Sequence, residues 1–118
     1  MESNRELITV YIPTYNRVNF LKRAVNSVLS QSHQNFELII VDDCSPDETI
    51  KYLEKLSSSD KRILFFQNVK NSGACVSRNK AISEAKGKYI TGLDDDDEFT
   101  SDRLEFFLKN FKENYSFV

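Results

Sequence analysis

Hydrophobic and polar positions along this chain switch between two spacings, which predicts strands and helices in alternation. Four short runs are mostly apolar, β-branched or aromatic, and such runs are typical of strands that are buried on both faces. These runs cover residues 7–12, 36–41, 62–67 and 89–93. Pro13 is expected to end the first strand, because proline cannot donate a hydrogen bond to a neighbouring strand.

Between the strands, apolar residues recur every three or four positions, which predicts amphipathic helices. The first helix is expected from Val18 to the turn at 31–35. The second is expected to begin in the segment 45–48, S-P-D-E, which reads as a capping box with proline at the first helical position. The third should follow the turn N-S-G at 71–73 and end at the C-cap signal K-G at 86–87. A fourth helix follows the last strand, and the positions expected to face inward on these last two helices are Ala74, Ala81, Ile82, Ala85, Leu104, Phe107, Leu108 and Phe111.

The order βαβαβαβα over residues 1–118 predicts one α/β domain with three layers. Helices should cover both faces of a mostly parallel sheet, joined by right-handed crossovers. In sheets of this kind, ligands bind outside the carboxyl ends of the strands. A functional site is therefore expected at that end, which we call the carboxyl edge of the sheet.

Polar residues follow the predicted strands at this edge. The fourth strand runs into four aspartates at 94–97, the first into P-T-Y-N at 13–16, the second into D-D at 42–43, and the third leads to N-S-G at 71–73. An acidic run by itself is most often a solvated loop. Because the carboxyl ends of parallel strands meet at one edge, these four segments together indicate a ligand site instead.

The residue types at this edge favour a metal and a phosphate. Carboxylates without a neighbouring histidine or cysteine suit Mg²⁺ or Mn²⁺, which usually take one or two carboxylates plus substrate phosphates. Positive charge beside the third helix could come from Lys70, Arg78 and Lys80. Alternatively, these bases lie on a solvated helix face, and for Lys80 this alternative is favoured.

Tyr15 and Asp43 each allow two interpretations, one as a nucleotide-binding residue and one as a structural residue. Tyr15 could stack on a nucleobase or pack against its own helix. Asp43 could accept a hydrogen bond from a base imide or cap a helix that starts near Ser45. The residues alone leave both alternatives open.

Composition narrows the class of protein. The 118 residues are 40% hydrophobic with a net charge of −2, so no overall positive field favours nucleic acid or an anionic membrane. Cys44 and Cys75 form no zinc or disulfide pattern, and they are expected to be small buried residues in a reduced compartment. His33, without acidic or serine partners in sequence, is expected on the surface. The chain shows neither an apolar leader nor a run of about 18 apolar residues, so a cytoplasmic domain without a transmembrane segment is expected.

Several nucleotide and metal motifs are absent. Neither G-x-G-x-x-G nor G-x-x-x-x-G-K-[ST] follows the first strand, which excludes the dinucleotide fingerprint and the P-loop. An EF-hand loop that begins at Asp94 is excluded because it requires glycine where Phe99 stands.

Four segments together resemble the nucleotide-binding half of family 2 glycosyltransferases with the GT-A fold, a Rossmann-like arrangement. They are V-Y-I-P-T-Y-N-R, S-V-L-S-Q-S-H-Q-N-F-E-L-I-I-V-D-D, N-S-G-A-C-V-S-R-N-K-A-I and A-K-G-K-Y-I-T-G-L-D-D-D-D, in that order over nearly the whole chain. The resemblance implies inverting transfer of a sugar from a nucleoside diphosphate sugar, with UDP or dTDP as the carrier and Mn²⁺ or Mg²⁺ as the cofactor.

The resemblance also implies roles for single residues. Tyr15 would lie at the base, and Asp43 would read the imide edge of uracil or thymine. Asp95 or Asp96 would lie near the ribose, and Asp96 with Asp94 would hold the metal. The implied donor-binding set is Pro13, Thr14, Tyr15, Asn16, Asp42, Asp43, Gly73, Arg78, Asp94, Asp95 and Asp96.

Two residues depart from the family pattern. Cys44 stands where glycine or asparagine is common, and it would be strained if that position needs a positive φ. Gly92 replaces a bulkier strand residue and is expected to loosen the packing under the acids.

The acceptor side of the reaction is expected elsewhere. No catalytic base with a motif behind it is identified, and a base is expected beyond Val118, after a fifth strand that begins near residue 114. The chain is therefore interpreted as a truncated piece that binds donor and metal. The missing part would bind a glycan or lipid-linked acceptor, and it could attach the protein peripherally to the inner membrane face. Apolar surface exposed by its absence could drive self-association. A nucleotidyltransferase and a non-catalytic nucleotide-binding or assembly domain remain the alternatives.

Overall fold

The computed structural model describes residues 6–114, with side chains as far as residue 110. The predicted alternation of strands and helices is confirmed. The elements are β1 (Ile8–Thr14), α1 (Val18–Leu29), β2 (Phe36–Asp42), α2 (Thr49–Ser59), β3 (Ile63–Gln67), α3 (Ala74–Glu84), β4 (Tyr89–Gly92) and α4 (Arg103–Asn114). The expected fifth strand and the inward position of Phe111 lie outside the described residues. Within 6–114, none of the helices has both the length and the hydropathy needed to cross a bilayer.

The four strands form one parallel sheet in the order β3-β2-β1-β4. The chain steps outward from β1 to β2 to β3, and α3 then carries it back to β4 on the other side of β1. The strand order therefore reverses between β1 and β4. Open α/β sheets bind their ligands at such a reversal, so the topology marks the carboxyl ends of β1 and β4.

Helices cover both faces of the sheet, which confirms the predicted three-layer fold. The larger core packs α1, α2 and α4 on one face, and burial of each large apolar side chain there stabilises the fold by roughly 1.5–3 kcal/mol. Its buried members include Ile8, Val10, Ile12, Leu21, Val25, Val28, Leu38, Ile40, Leu53, Leu104 and Leu108. On the other face Ala81 of α3 packs on Ile39 and Val41 of β2, with Tyr11 and Phe66 at the margin.

The first strand does not end at Pro13 as predicted, because β1 continues to Thr14. The last residue of β4, Gly92, pairs with Tyr11, and the Leu93 N–H donates to the Tyr11 carbonyl at 3.0 Å. Backbone groups two residues apart in a strand point to the same neighbouring strand. Pro13 is two residues after Tyr11, so its backbone nitrogen faces the β4 side, where β4 has already ended. Its missing N–H therefore removes no hydrogen bond of the sheet.

The second helix begins at Thr49, so the predicted capping box with Pro46 at the first helical position is wrong. Asp47 caps the helix instead, since its Oδ1 accepts hydrogen bonds from the Thr49 N–H at 3.0 Å and the Thr49 hydroxyl at 2.5 Å. Burial raises the pKa of the Asp47 carboxyl, but the hydrogen bonds from Thr49 and from the backbone N–H groups of Val18 and Asp47 together outweigh burial and hold the pKa below its ordinary value. The Ser45 hydroxyl donates to the carboxylate of Asp42.

Several side chains lie differently from the prediction, among them Ala74, which was predicted to face inward and is exposed, and Cys44, which is only partly buried. His33 is buried, and its Nε2 lies 2.9 Å from the Glu6 carbonyl and 3.1 Å from the Asn35 carbonyl. Because both partners are acceptors, Nε2 carries a proton and donates. Cys75 is exposed in the first turn of α3, beyond the sheet, although a buried position was predicted. Ile82, predicted to face inward, is 43% exposed and lines a depression beside β4.

Gly92 does not loosen the packing under the acids, contrary to the prediction. A Cβ at this position would lie 2.6 Å from Cζ of the Tyr11 ring, closer than two carbon atoms can approach. The ring of Tyr11 therefore occupies the space that a larger side chain would take. Glycine is required here for close approach between neighbouring strands.

Candidate functional site

A cleft of about 330 Å³ opens at the carboxyl ends of β1 and β4, where the strand order reverses. Every predicted site residue from these two strand ends lines it except Asn16. The lining residues are Pro13, Thr14, Tyr15, Arg17, Asp43, Ala74, Ser77, Asp94, Asp95 and Asp96. The sheet topology thus brings together segments that lie about 80 residues apart in the chain.

Two predicted residues shape the loops around the cleft. Asn16 has a φ of 54°, and its N–H donates to the Ser45 hydroxyl oxygen at 2.7 Å. Gly73 precedes α3 with a φ of 97°, a conformation that glycine adopts without strain. Both residues therefore fix the backbone beside the cleft without lining it.

Arg78 and Asp42 also lie outside the cleft. Arg78 is exposed on α3 and faces an adjoining depression that shares Pro13, Ala74 and Asp94 with the cleft. Asp42 is fully buried. Its Oδ2 accepts hydrogen bonds from the Ser45 N–H at 3.0 Å and from Gln67 Nε2 at 3.2 Å, so its carboxylate holds the loop after β2.

Asp43 joins the end of β2 to the start of α3. Its Oδ1 accepts hydrogen bonds from Asn68 Nδ2 and the Ser72 N–H, both at 2.7 Å. Its Oδ2 accepts the Gly73 N–H at 2.8 Å. Asp43 thus holds the two residues just before α3, and it does not cap a helix near Ser45 as the structural alternative proposed.

These contacts fix the charge of Asp43. Burial raises the pKa of this carboxyl, but the hydrogen bonds from Asn68, Ser72 and Gly73 together outweigh it and hold the pKa below its ordinary value of 3.8. A lowered folded-state pKa gives stability that is present above 3.8 and is lost as the pH falls through the folded value. Near neutral pH Asp43 is an ionised acceptor.

Cys44 adopts the left-handed conformation for which strain was expected, with a φ of 69°. For a residue with a Cβ this conformation costs about 1 kcal/mol. The turn at Cys44 brings the Ser45 N–H back to the carboxylate of Asp42. The Asp43 N–H also donates to the Thr14 carbonyl at 2.9 Å, which ties the ends of β1 and β2 together.

The acids after β4 form a compact turn. Asp94, Asp96 and Asp97 are exposed, and one carboxylate oxygen from each lies within 4.8 Å of the others. The Asp97 N–H donates to the Asp94 carbonyl at 3.0 Å, which closes the turn. Carboxylate oxygens grouped in this way fit Mg²⁺ or Mn²⁺. Asp97 is not among the metal ligands that the family resemblance implies, but its carboxylate joins the group.

Arg17 is a cleft residue that sequence reasoning missed. Its Nη1 lies 3.3 Å from Asp95 Oδ1 and 3.2 Å from Asp96 Oδ2. Although it is the last letter of P-T-Y-N-R, no local pattern assigns it a partner, because the contact depends on the pairing of β1 with β4. The signal that could have found it was the excess of acids after β4, which calls for a nearby cation.

Ser77 was missed for a similar reason. It is buried in the first turns of α3, and its hydroxyl oxygen accepts a hydrogen bond from Asn68 Nδ2 at 3.1 Å. Asn68 is also bonded to Asp43, so Ser77 orients the residue that orients Asp43. Serine at this helical position carries no distinguishing sequence signal.

The arrangement can bind a metal-associated anion with an aromatic portion. The exposed carboxylates offer a cation site, the 44%-exposed ring of Tyr15 offers a stacking surface, and ionised Asp43 offers a hydrogen-bond acceptor. These three features surround one space.

Comparison with known proteins agrees with this chemistry. WcaA of Escherichia coli K12, a glycosyl transferase provisionally assigned to colanic acid biosynthesis, is 50% identical over 107 residues, covering 89% of this chain and 38% of that protein. A Campylobacter jejuni protein named GalNAc(5)-diNAcBac-PP-undecaprenol beta-1,3-glucosyltransferase is 35% identical over 113 residues, covering 94% of this chain and 36% of that protein.

Solved structures extend the likeness to the fold. Residues 1–349 of S. aureus TarS in complex with UDP-GlcNAc superpose with a TM-score of 0.82 at 30% identity, covering 90% of this chain and 31% of that one. The chain spans about two fifths or less of the length of these relatives. Residues 9–118 match the family described as Glycosyl transferase family 2. With the three-layer fold and the carboxylate-lined cleft, this match shows that the chain belongs to glycosyl transferase family 2 and has the GT-A fold.

Proposed function

We propose that this chain is the donor-binding part of an inverting glycosyltransferase whose donor is a UDP-sugar or dTDP-sugar. The observation that carries the proposal is the cleft between β1 and β4, where Tyr15, Asp43 and the first three acids of the turn, Asp94, Asp95 and Asp96, surround one space. The complex of the related TarS with UDP-GlcNAc supports a nucleotide sugar as the ligand class. The family match weakens the nucleotidyltransferase alternative, because the named relatives are glycosyltransferases.

Base recognition rests on Tyr15 and Asp43. The exposed ring of Tyr15 stacks on the base, a contact that contributes about 1–3 kcal/mol in nucleic-acid complexes. A carboxylate has about four acceptor sites, and Asp43 uses three of them within the protein. The remaining site accepts the imide N–H of uracil or thymine, a donor that cytosine and adenine lack.

Phosphate recognition rests on the acidic turn. Asp94 and Asp96 hold the divalent cation, and Asp97 lies close enough to join them. When bound, the cation acts as a Lewis acid on the diphosphate leaving group. Hard oxygen donors without histidine or cysteine favour Mn²⁺ or Mg²⁺.

The acceptor side belongs to the rest of the protein. Inverting transfer requires a general base within hydrogen-bond reach of the acceptor hydroxyl, and we assign none among the described residues. The names of relatives refer to colanic acid biosynthesis and to an undecaprenol-linked glycan. These names support a glycan or lipid-linked acceptor.

Calorimetric titration of UDP tests the proposal directly. The chain should bind UDP in the presence of Mn²⁺, and metal-free protein should bind it at least about tenfold more weakly, because the phosphates then face uncompensated carboxylates. CDP, which lacks the imide N–H, should bind more weakly than UDP under the same conditions. If neither UDP nor dTDP binds at millimolar concentration with either metal, the proposed donor site is wrong.

A further inference from the structure

Asp95 differs from the acids beside it, because it is buried and both of its oxygens are bonded to residues at the end of β1. The side chain is 10% exposed, whereas that of Asp96 is 51% exposed. The Thr14 hydroxyl donates to Asp95 Oδ2 at 2.9 Å, and Arg17 Nη1 donates to Asp95 Oδ1 at 3.3 Å. Asp95 is also absent from the group of acids that could share a cation.

We propose that Asp95 is a positioning residue that fastens the acidic turn 94–97 to the end of β1. Held this way, Asp94 and Asp96 stand in the arrangement that binds the cation before the cation arrives. As far as the cation is concerned, the inference rests on the proposed function. It changes the sequence-based expectation for Asp95, which assigned this residue to direct donor contact.

The turn needs such a fastening because β4 ends early. β4 spans four residues, and the hydrogen bond from the Leu93 N–H to the Tyr11 carbonyl is its continuation toward the turn. Past Leu93, the Asp97 N–H bond to the Asp94 carbonyl closes the turn on itself but does not join it to the sheet. The bonds of Asp95 make that connection.

Repulsion between the carboxylates is a second reason why the acidic turn needs to be held in place. Carboxylate oxygens within 4.8 Å of one another repel, and the repulsion favours an open turn when no cation is bound. The Arg17 guanidinium contacts both Asp95 and Asp96, so it opposes this repulsion. Since the Arg17 side chain is 50% exposed, water weakens its contribution, and the buried Thr14 bond is expected to matter more.

Thr14→Val separates positioning from direct contact, because it removes the hydroxyl and leaves every carboxylate in place. Metal-free protein should show faster hydrogen exchange of the Asp97 amide, measured by NMR. Mn²⁺ affinity, measured by electron paramagnetic resonance of free Mn²⁺, should fall about tenfold, the low end of losses seen when a partner of a metal ligand is removed. Thr14→Ser, which keeps the hydroxyl, should restore both values.

Thr9→Val is the matched control. Thr9 lies on the same strand, is fully buried, and donates to Glu37 Oε2 at 2.5 Å, but at the opposite end of the sheet. This variant should lower the melting temperature without changing Asp97 exchange or Mn²⁺ affinity. Asp95→Ala is a second variant for the case that Thr14→Val folds poorly. It should also show faster exchange of the Asp97 amide in metal-free protein.

The outcomes distinguish this inference from the proposed function. Unchanged Asp97 exchange in Thr14→Val and Asp95→Ala overturns the positioning role, whatever the metal affinity. If the variants show faster Asp97 exchange but the wild-type protein binds no Mn²⁺, the positioning role of Asp95 is supported and the cation site of the proposed function is contradicted. Faster exchange together with weaker Mn²⁺ binding supports both.

Discussion

Asp96→Asn is expected to abolish the dependence of UDP binding on Mn²⁺. Asp96 is half-exposed in the cleft, and it is one of three acids whose carboxylate oxygens lie within 4.8 Å of one another. Asparagine at this position removes the negative charge where the cation and the diphosphate are proposed to meet. Loss of a partner that only orients a metal ligand costs about 10–100-fold in affinity, so loss of a ligand should cost at least about 100-fold. Calorimetric titration of UDP at fixed Mn²⁺ measures the effect.

Asp102→Asn is the control for this change. Asp102 is exposed, lies just before α4 and does not line the cleft, and asparagine is as good a helix cap as aspartate. Its UDP affinity with Mn²⁺ should equal that of the wild type. If Asp96→Asn kept the wild-type gain in UDP affinity on adding Mn²⁺, Asp96 would not be a metal ligand.

Asp43→Ala is expected to lower both the stability of the fold and the affinity for UDP. The substitution leaves the N–H groups of Ser72 and Gly73 without their acceptor, and the free energy of unfolding should fall by about 2–3 kcal/mol. Loss of the charged acceptor for the imide should weaken UDP binding to the folded protein by about 10–100-fold. Urea denaturation and calorimetry measure the two effects separately.

Asp47→Ala separates capping from base recognition. Asp47 also accepts bonds from backbone N–H groups and has a lowered pKa, but it caps α2 and does not line the cleft. It should therefore lose stability and keep its UDP affinity. If an Asp43→Ala protein behaved in the same way, Asp43 would only hold the turn before α3 and would not recognise the base.

Local patterns were sufficient to predict the elements that bury one face or both. The apolar spacing from Val18 predicted α1 at the position where it begins, and the apolar run at 36–41 predicted β2, which is buried along its whole length. These predictions succeed because burial is periodic in the sequence. The acidic turn and Tyr15 were likewise identified because strand ends in a parallel sheet meet at one edge.

Other features depend on contacts that no local pattern contains. Asp42 and Asp43 are neighbours in sequence, yet Asp42 is sealed in the interior against Gln67, whereas Asp43 lines the cleft and is bonded to Asn68. The contact of Arg17 with Asp95 requires β4 to lie beside β1. His33 was misjudged because its partners are backbone carbonyls, which a search among side chains does not reveal.

Amide chemical shifts of the chain titrated with UDP and Mg²⁺ test most directly whether the cleft between β1 and β4 is the donor site. We expect shifts concentrated at Tyr15, Asp43, the turn 71–73 and the acids 94–97, with those of α2 (Thr49–Ser59) unchanged. Saturable shifts confined to another surface, or none at millimolar UDP, would contradict this assignment of the donor site.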